Sequence, residues 1–284
     1  MLHFENGYVA PAVFPLADML KQTIGQADEI ICGKVICPIC AKQPVRDCVC
    51  QFYRELSGVY GRVVPAKYKP FLLCNLRPSE CSRLPLAQQT ALYDELRSNP
   101  DSGWAFFAPA GYSKTTCSYA LWKRAVFVNL KRSWELFPRA DLGAYEFIVH
   151  TGYRQDAPSP RIPRTYVWRK SVPDLLQQHF DRMNMGEGED ATFVPKPDIS
   201  VENIEKAVRL GIRPRVFLEE IDKIKPSEYT VNQLFRIFDA LDRHKGQIVL
   251  DTNFSKQQFQ NVFGDMIVRR IKENCIVKEF GFND

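Results

Sequence analysis

A chain of 284 residues, 45% hydrophobic and 25% charged, can hold one large core or one core with a small appended module; its composition excludes a disordered or fibrous protein. The formal net charge of +5 is a mild basic bias, compatible with nucleic acid as a partner but too small to require one. No apolar stretch approaches the ~18 residues needed to span a bilayer, and Met1-Leu2-His3-Phe4-Glu5-Asn6 lacks the layout of a secretory signal, so a cytoplasmic protein with no membrane partner is expected.

Residues 17–24 are amphipathic and compatible with a helix. Of nine cysteines, five fall between Cys32 and Cys50, while Cys74, Cys81, Cys117 and Cys275 are scattered. In a reducing compartment such a cluster reads as a metal site before it reads as disulfides. Cys37-Pro38-Ile39-Cys40 and Cys48-Val49-Cys50 supply two close pairs, and four thiolates so arranged suit one Zn2+ in a closed, structural site. The alternative is reduced cysteines packed as small hydrophobes, with Cys32 as a spare. A module of ~60 residues has little core, and a metal would supply the missing stability. The expected division is therefore a Cys-rich module over 1–60 and a larger domain over 61–284.

A Gly/Pro-punctuated connector, 58–70, leads to a helix beginning near Pro85, with Leu86, Tyr93 and Leu96 as core positions and Asn99-Pro100 as its stop. Beyond it the order alternates. Trp104 to Phe107 predicts a buried strand, Ala108 to Ser113 a turn, and Lys114 to about Trp134 a helix. Residues 138–164, rich in Pro, Gly and Arg, read as a surface insertion. Strand patterning returns at Thr165 to Trp168 and helix patterning at Val172 to Met183, before a polar loop over 186–198. A helix from Val201 to Leu210 precedes a strand at Arg215 to Leu218; a helix from Thr230 to Arg243 precedes a strand at Gln247 to Leu250. Two short helices, Lys256 to Phe263 and Met266 to Glu273, precede a last strand at Cys275 to Phe280. Strands separated by helices argue for a parallel sheet covered on both faces.

The turn carries the first chemical signal. Ala108-Pro109-Ala110-Gly111-Tyr112-Ser113-Lys114-Thr115 stands between a strand and a helix, where the phosphate-binding pattern is G-x-x-x-x-G-K-[ST]. Lys114 would reach the β- and γ-phosphates of ATP and the Thr115 hydroxyl would sit on Mg2+. Backbone N–H groups from Gly111 through Thr116 would cradle the phosphates at the helix N-terminus. Ala108 and Ser113 replace the two glycines, which ordinarily permit unusual backbone angles there. The bland alternative is an ordinary turn before a core helix.

Such a loop needs an acid at the end of a neighbouring strand. Val216-Phe217-Leu218-Glu219-Glu220 offers one: Glu219 as the metal partner, one methylene longer than the usual Asp, and Glu220 as the general base. Asn253, after the strand at Gln247, is placed to bond the γ-phosphate or the attacking water, or else simply fills a turn. Arg270 is a candidate for a nucleotide on a neighbouring subunit, or a surface charge.

Together these residues resemble the AAA+ ATPases of the DnaC/IstB type, bacterial helicase loaders and transposition helper ATPases. The resemblance runs over roughly 64–284. It includes Val64-Pro65-Ala66-Lys67-Tyr68, the modified loop, Val172-Pro173-Asp174-Leu175-Leu176, Glu219-Glu220-Ile221-Asp222, Thr252-Asn253-Phe254-Ser255 and Val268-Arg269-Arg270-Ile271. It implies an α/β P-loop AAA+ core with a parallel sheet and flanking helices, without a lid domain, behind a small zinc module. It also implies Asn253 as first sensor and Arg270, before Arg269, as a trans-acting arginine finger through which copies assemble. The implied activity is helicase loading: a hexameric replicative helicase delivered to single-stranded DNA, the zinc module docking the helicase by analogy. The alternatives are a transposition helper on duplex DNA and an adaptor that binds nucleotide without hydrolysing it, because no motif matches its family pattern fully. Hydrolysis is expected to be weak or partner-dependent.

Basic residues gather in several places, among them Lys206, Arg209 and Arg213, whose spacing predicts one shared helix face. Phosphate contacts there would make binding fall steeply with salt. Tyr166 and Trp168 read either as strand core or as stacking platforms for bases.

Overall fold

The computed structural model describes residues 59–61, 63–136, 166–184 and 199–282. The stretch 17–24, the cysteine cluster with Cys37, Cys40, Cys48 and Cys50, and the segments 138–164 and 186–198 lie outside the described residues. Contacts divide the chain into two units, Met1–Pro70 with Val126–Thr165, and Phe71–Ala125 with Tyr166–Asp284. In the first, a 3-10 turn spans Ala66–Tyr68, with Lys67 over the Tyr68 ring. The sheet and the candidate site belong to the second.

Five parallel strands form one sheet: β1 (Gly103–Phe107), β2 (Val167–Ser171), β3 (Arg215–Glu219), β4 (Gln247–Thr252) and β5 (Cys275–Glu279), in the order β2-β3-β4-β1-β5. The helices are α1 (Leu86–Ser98), α2 (Lys114–Leu136), α3 (Val172–Asn184), α4 (Val201–Arg209), α5 (Glu228–Arg243) and α6 (Lys256–Asn274). This is the parallel α/β layout with flanking helices that the strand–helix alternation predicts. Two of the interior strands, β1 and β4, are buried at every residue, as expected where both faces are covered.

Period-2 alternation sorts the strand residues between the faces. Ala105, Phe107, Val216, Leu218, Ile248 and Leu250 join Leu234, Ile237, Phe238 and Leu241 of α5 and Phe259, Phe263, Ile267 and Ile271 of α6 in one buried cluster. Each fully buried side chain of this size contributes about 1.5–3 kcal/mol. Helix starts follow the sequence closely. Ser200 and Ser227 cap α4 and α5, and Ser255 with Gln258 forms a capping box on α6, satisfying amide donors that a helix leaves unpaired. Gly264, at φ 78°, breaks α6 internally, where the sequence predicts the boundary between two short helices.

Two strands run two or more residues past their predicted C-terminal ends. β2 reaches Ser171 in register with β3, Val167 opposite Arg215 and Ser171 opposite Glu219. β4 continues through Asp251 and Thr252. Both extensions carry polar side chains inward, so apolar content alone ended the strands too early. The shared face of Lys206, Arg209 and Arg213 is also revised. α4 ends at Arg209, Gly211 turns the chain at φ 69°, and Arg213 donates to the carbonyls of Lys245 (2.7 Å) and Asp101 (3.1 Å). Tyr166 is buried, its ring edge-on to Trp168, as the strand-core reading expects.

Candidate nucleotide-binding site

The loop leaves β1 without interrupting the sheet. Ala108 N–H donates to Thr252 O at 3.2 Å, and Ala108 is fully buried. Its φ is not among the positive values, so the first lost glycine is structurally ordinary. The second is not. Ser113 takes φ 61°, following Gly111 at φ 92°, so the position keeps the left-handed requirement of the missing glycine and imposes it on a serine. The Tyr93 hydroxyl, which donates to Gln89 Oε1 at 3.4 Å, lies near the Ser113 side chain.

Two flanking contacts hold the loop. Gly111 O accepts from Arg83 N–H at 2.9 Å and from the Ser82 hydroxyl at 3.3 Å, and the Arg83 side chain lies against Gly111. The Tyr112 ring packs on Gly281, where a Cβ would overlap it. Pro109 and Ala110 complete the turn, and Lys114, Thr115 and Thr116 open α2.

Lys114 is only 8% exposed and folds back into the loop. Its Nζ donates to Ala108 O, to Pro109 O at 2.7 Å and to Asn253 Oδ1 at 3.0 Å. Burial lowers its pKa, against the opposing pull of Asp251 and Asp222. Asn253 is itself fixed: its backbone N–H and its Nδ2 donate to the two oxygens of Asp222 at 3.0 and 2.8 Å. A chain Asp222–Asn253–Lys114 thus ties the ends of β3 and β4 to the loop.

The predicted acids carry cations. Glu219 Oε2 accepts from Arg169 of β2 at 2.6 Å, and the Arg169 side chain is 2% exposed. Arg169 also donates to Ser118 on α2 at 2.9 Å and lies over the Tyr119 ring. Glu220 sits at φ 61°, a strained angle for a residue with a side chain, and pairs with Lys223. Asp251 at the end of β4 is almost fully buried; desolvation pushes its carboxyl up to about 6, with Arg169 and Lys114 pulling down and Glu219 and Asp222 pushing up. Its Oδ2 has no hydrogen-bond partner.

Arg270 is not brought to the loop. It binds Asp242 and Asp239, each at 2.7 Å, and Glu273 at 3.4 Å, with a side chain 20% exposed. Arg269 is 70% exposed and paired with Glu273. Among the described residues no group of three or more His, Cys, Asp or Glu side chains is placed to hold a metal ion. Within the same residues no helix is long and apolar enough to cross a membrane.

No family profile matches the chain, and no curated protein matches it. Several solved structures are similar. The DnaC helicase loader aligns at 15% identity and TM-score 0.46, covering 76% of this chain and 100% of that one. AMPPCP-bound DnaA from Aquifex aeolicus aligns at 17% and 0.43, covering 76% and 51%. The replication initiator DnaA bound to AMPPCP and single-stranded DNA aligns at 16% and 0.44, covering 78% and 52%. The chain therefore spans about half the length of the two DnaA structures.

Arg169, Asp222, Asp251 and Arg83 belong to none of the sequence motifs at the positions that carry a predicted role. Arg169 was legible in principle: in Val167-Trp168-Arg169-Lys170-Ser171 every second residue shares a face, which puts Arg169 with Val167. Asp251 ends an apolar run as Glu219 does. Nothing local marks Asp222 or Arg83, whose roles depend on loops meeting in space.

Proposed function

We propose that this chain binds ATP with Mg2+ at the loop 108–116 and works as a helicase loader, delivering a hexameric replicative helicase to single-stranded DNA. The contact of Lys114 with Asn253 supports nucleotide binding most directly. It joins the loop's cation to the residue assigned to the γ-phosphate from a different strand, which an ordinary turn would not require. The loader role rests on the motif resemblance, and with it the zinc module over 1–60 with Cys37, Cys40, Cys48 and Cys50 as ligands, and the domain over 61–284.

In this reading the N–H groups of Gly111 to Thr116 hold phosphate oxygens, and Lys114 exchanges loop carbonyls for the β- and γ-phosphates. A divalent cation would be held by the Thr115 hydroxyl and by Glu219, whose Oε2 is already taken by Arg169. Mg2+ there would neutralise phosphate charge during transfer. Glu220 takes the proton of the attacking water, Asn253 orients that water, and Arg270 reaches a neighbouring copy's nucleotide after giving up Asp239 and Asp242.

ATP binding and turnover, each measured with and without helicase and single-stranded DNA, test the proposal against Lys114→Ala. Wild type is expected to bind ATP and the variant to lose at least about tenfold in affinity. Equal silence of both in binding would end the nucleotide reading. A pull-down of cognate helicase that is indifferent to removing residues 1–60 would end the docking role of the zinc module.

The cations on Glu219 and Glu220 favour a second reading, an adaptor that binds nucleotide without turnover. It predicts ATP binding by wild type with no hydrolysis under any partner condition.

A further inference from the structure

The acidic end of the site holds more charge than the predicted motif accounts for. Glu219 and Asp251 are electrostatic neighbours, on adjacent strands of the same sheet. Two carboxylates near bound phosphates repel them, and in loops of this kind the divalent cation ordinarily offsets that repulsion. Here the protein brings its own cation. Arg169 rises from β2 into the same space, is 2% exposed, and bonds Glu219 at 2.6 Å. It is clamped in place by Ser118 at 2.9 Å and by the Tyr119 ring beneath it. Its Nε is buried without a partner, as is Asp251 Oδ2. Guanidinium is always charged and planar, so it serves here as a fixed counter-ion. Burial keeps it where water screens little.

We propose that Arg169 is a positioning residue that supplies in cis much of the charge compensation a divalent cation would give, so that this site takes ATP with little dependence on Mg2+. The inference rests on the nucleotide reading above and deepens it. Glu219, held through Oε2, is a weakened metal ligand; metal-free ATP meets a neutralised acid in place of two bare carboxylates. Lys170, next in sequence, cannot substitute, because successive strand residues point to opposite faces.

The test is the ratio of ATP dissociation constants in excess EDTA and in excess Mg2+, by equilibrium titration on the full chain. Wild type is expected to give a ratio below about threefold. Arg169→Gln, which leaves the acids uncompensated, should give at least about tenfold, with the loss confined to the EDTA arm. Arg169→Lys should restore part of the wild-type ratio. Glu219→Gln, which removes the repulsion at its source, should stay below about threefold. Should Arg169→Gln fail to fold, the ratios of wild type and Glu219→Gln decide alone.

A wild-type ratio of tenfold or more, or a folded Arg169→Gln with the wild-type ratio, overturns the proposal and leaves nucleotide binding intact. Absence of saturable binding in both arms would instead remove the nucleotide reading, and this inference with it. A merely structural Arg169 would lower the melting temperature and leave the ratio unmoved.

Discussion

Ser113 shows how a lost glycine is accommodated. Its left-handed backbone is a strain of about 1–2 kcal/mol for a residue with a Cβ. Ser113→Gly relaxes the backbone, whereas Ser113→Ala keeps the strain. Denaturant unfolding should therefore find the Ala variant less stable than the Gly variant by about 1 kcal/mol; equal stabilities would mean the angle costs nothing. Asp251 gives a pH signature. Its folded pKa of about 6 lies above the ordinary 3.8, so the folded state holds this proton more tightly than the unfolded chain. The sign follows: stability from this group falls as pH rises from about 4 to about 6 and is flat above. Asp251→Asn mimics the protonated acid, and should gain roughly 2–3 kcal/mol over wild type at about pH 8 while matching it near pH 4. A wild-type advantage at pH 8 would sink the assignment.

Among the elements, those legible from the sequence were the ones whose periodicity is apolar. Trp104 to Phe107, Val216 to Leu218 and Ile248 to Leu250 announce buried strands, and the helical pattern from Lys256 announces α6. The turn between β1 and α2 was legible because the apolar run of Trp104 to Phe107 stops at Ala108 and helix patterning starts at Lys114. The last residues of β2 and β4 were not: Arg169 is buried against Glu219 of the neighbouring strand and Ser118 and Tyr119 of α2, and Asp251 lies in the field of Arg169 and Lys114. Pairing of that kind follows from strand order, which local sequence does not encode. The link between core and loop is itself testable. Phe259 of α6 packs edge-on to Phe107, with ring centroids 5.4 Å apart, and Phe107 is the last residue before the loop. Phe259→Ala should cost about 3–5 kcal/mol in urea unfolding and should weaken ATP binding as well; unchanged affinity in a folded variant would show that the loop does not lean on this contact.

The folded molecule as a whole should protect two of its thiols. Cys117 and Cys275 are pushed up to about 12 by burial, whereas Cys74 and Cys81 are exposed. Thiolates are the reactive species. Mass mapping after brief alkylation should find Cys74 and Cys81 modified and Cys117 unmodified until denaturant unfolds the chain; early modification of Cys117 would contradict the packing of α2 on the sheet. Ligand linkage adds a second global readout. ATP at about 100 times the wild-type dissociation constant should stabilise the fold by about 2.7 kcal/mol, and Lys114→Ala at the same ATP concentration should cut the shift to about 1.4 kcal/mol or less.

The inward-folded Lys114 also bears on timing. If the loop takes a triphosphate as proposed, the Lys114 ammonium, bonded to two carbonyls and an amide oxygen, stoppers the cradle, and the nucleotide would dock fully only after that stopper lifts. Capture then has two stages, a fast encounter and a first-order rearrangement. In rapid mixing the observed rate should climb with ATP concentration and level off at a plateau, whereas a cradle standing open would give a straight line. Asn253→Ala removes one of the stopper's three anchors and should raise that plateau, even as it weakens the grip on the nucleotide once seated.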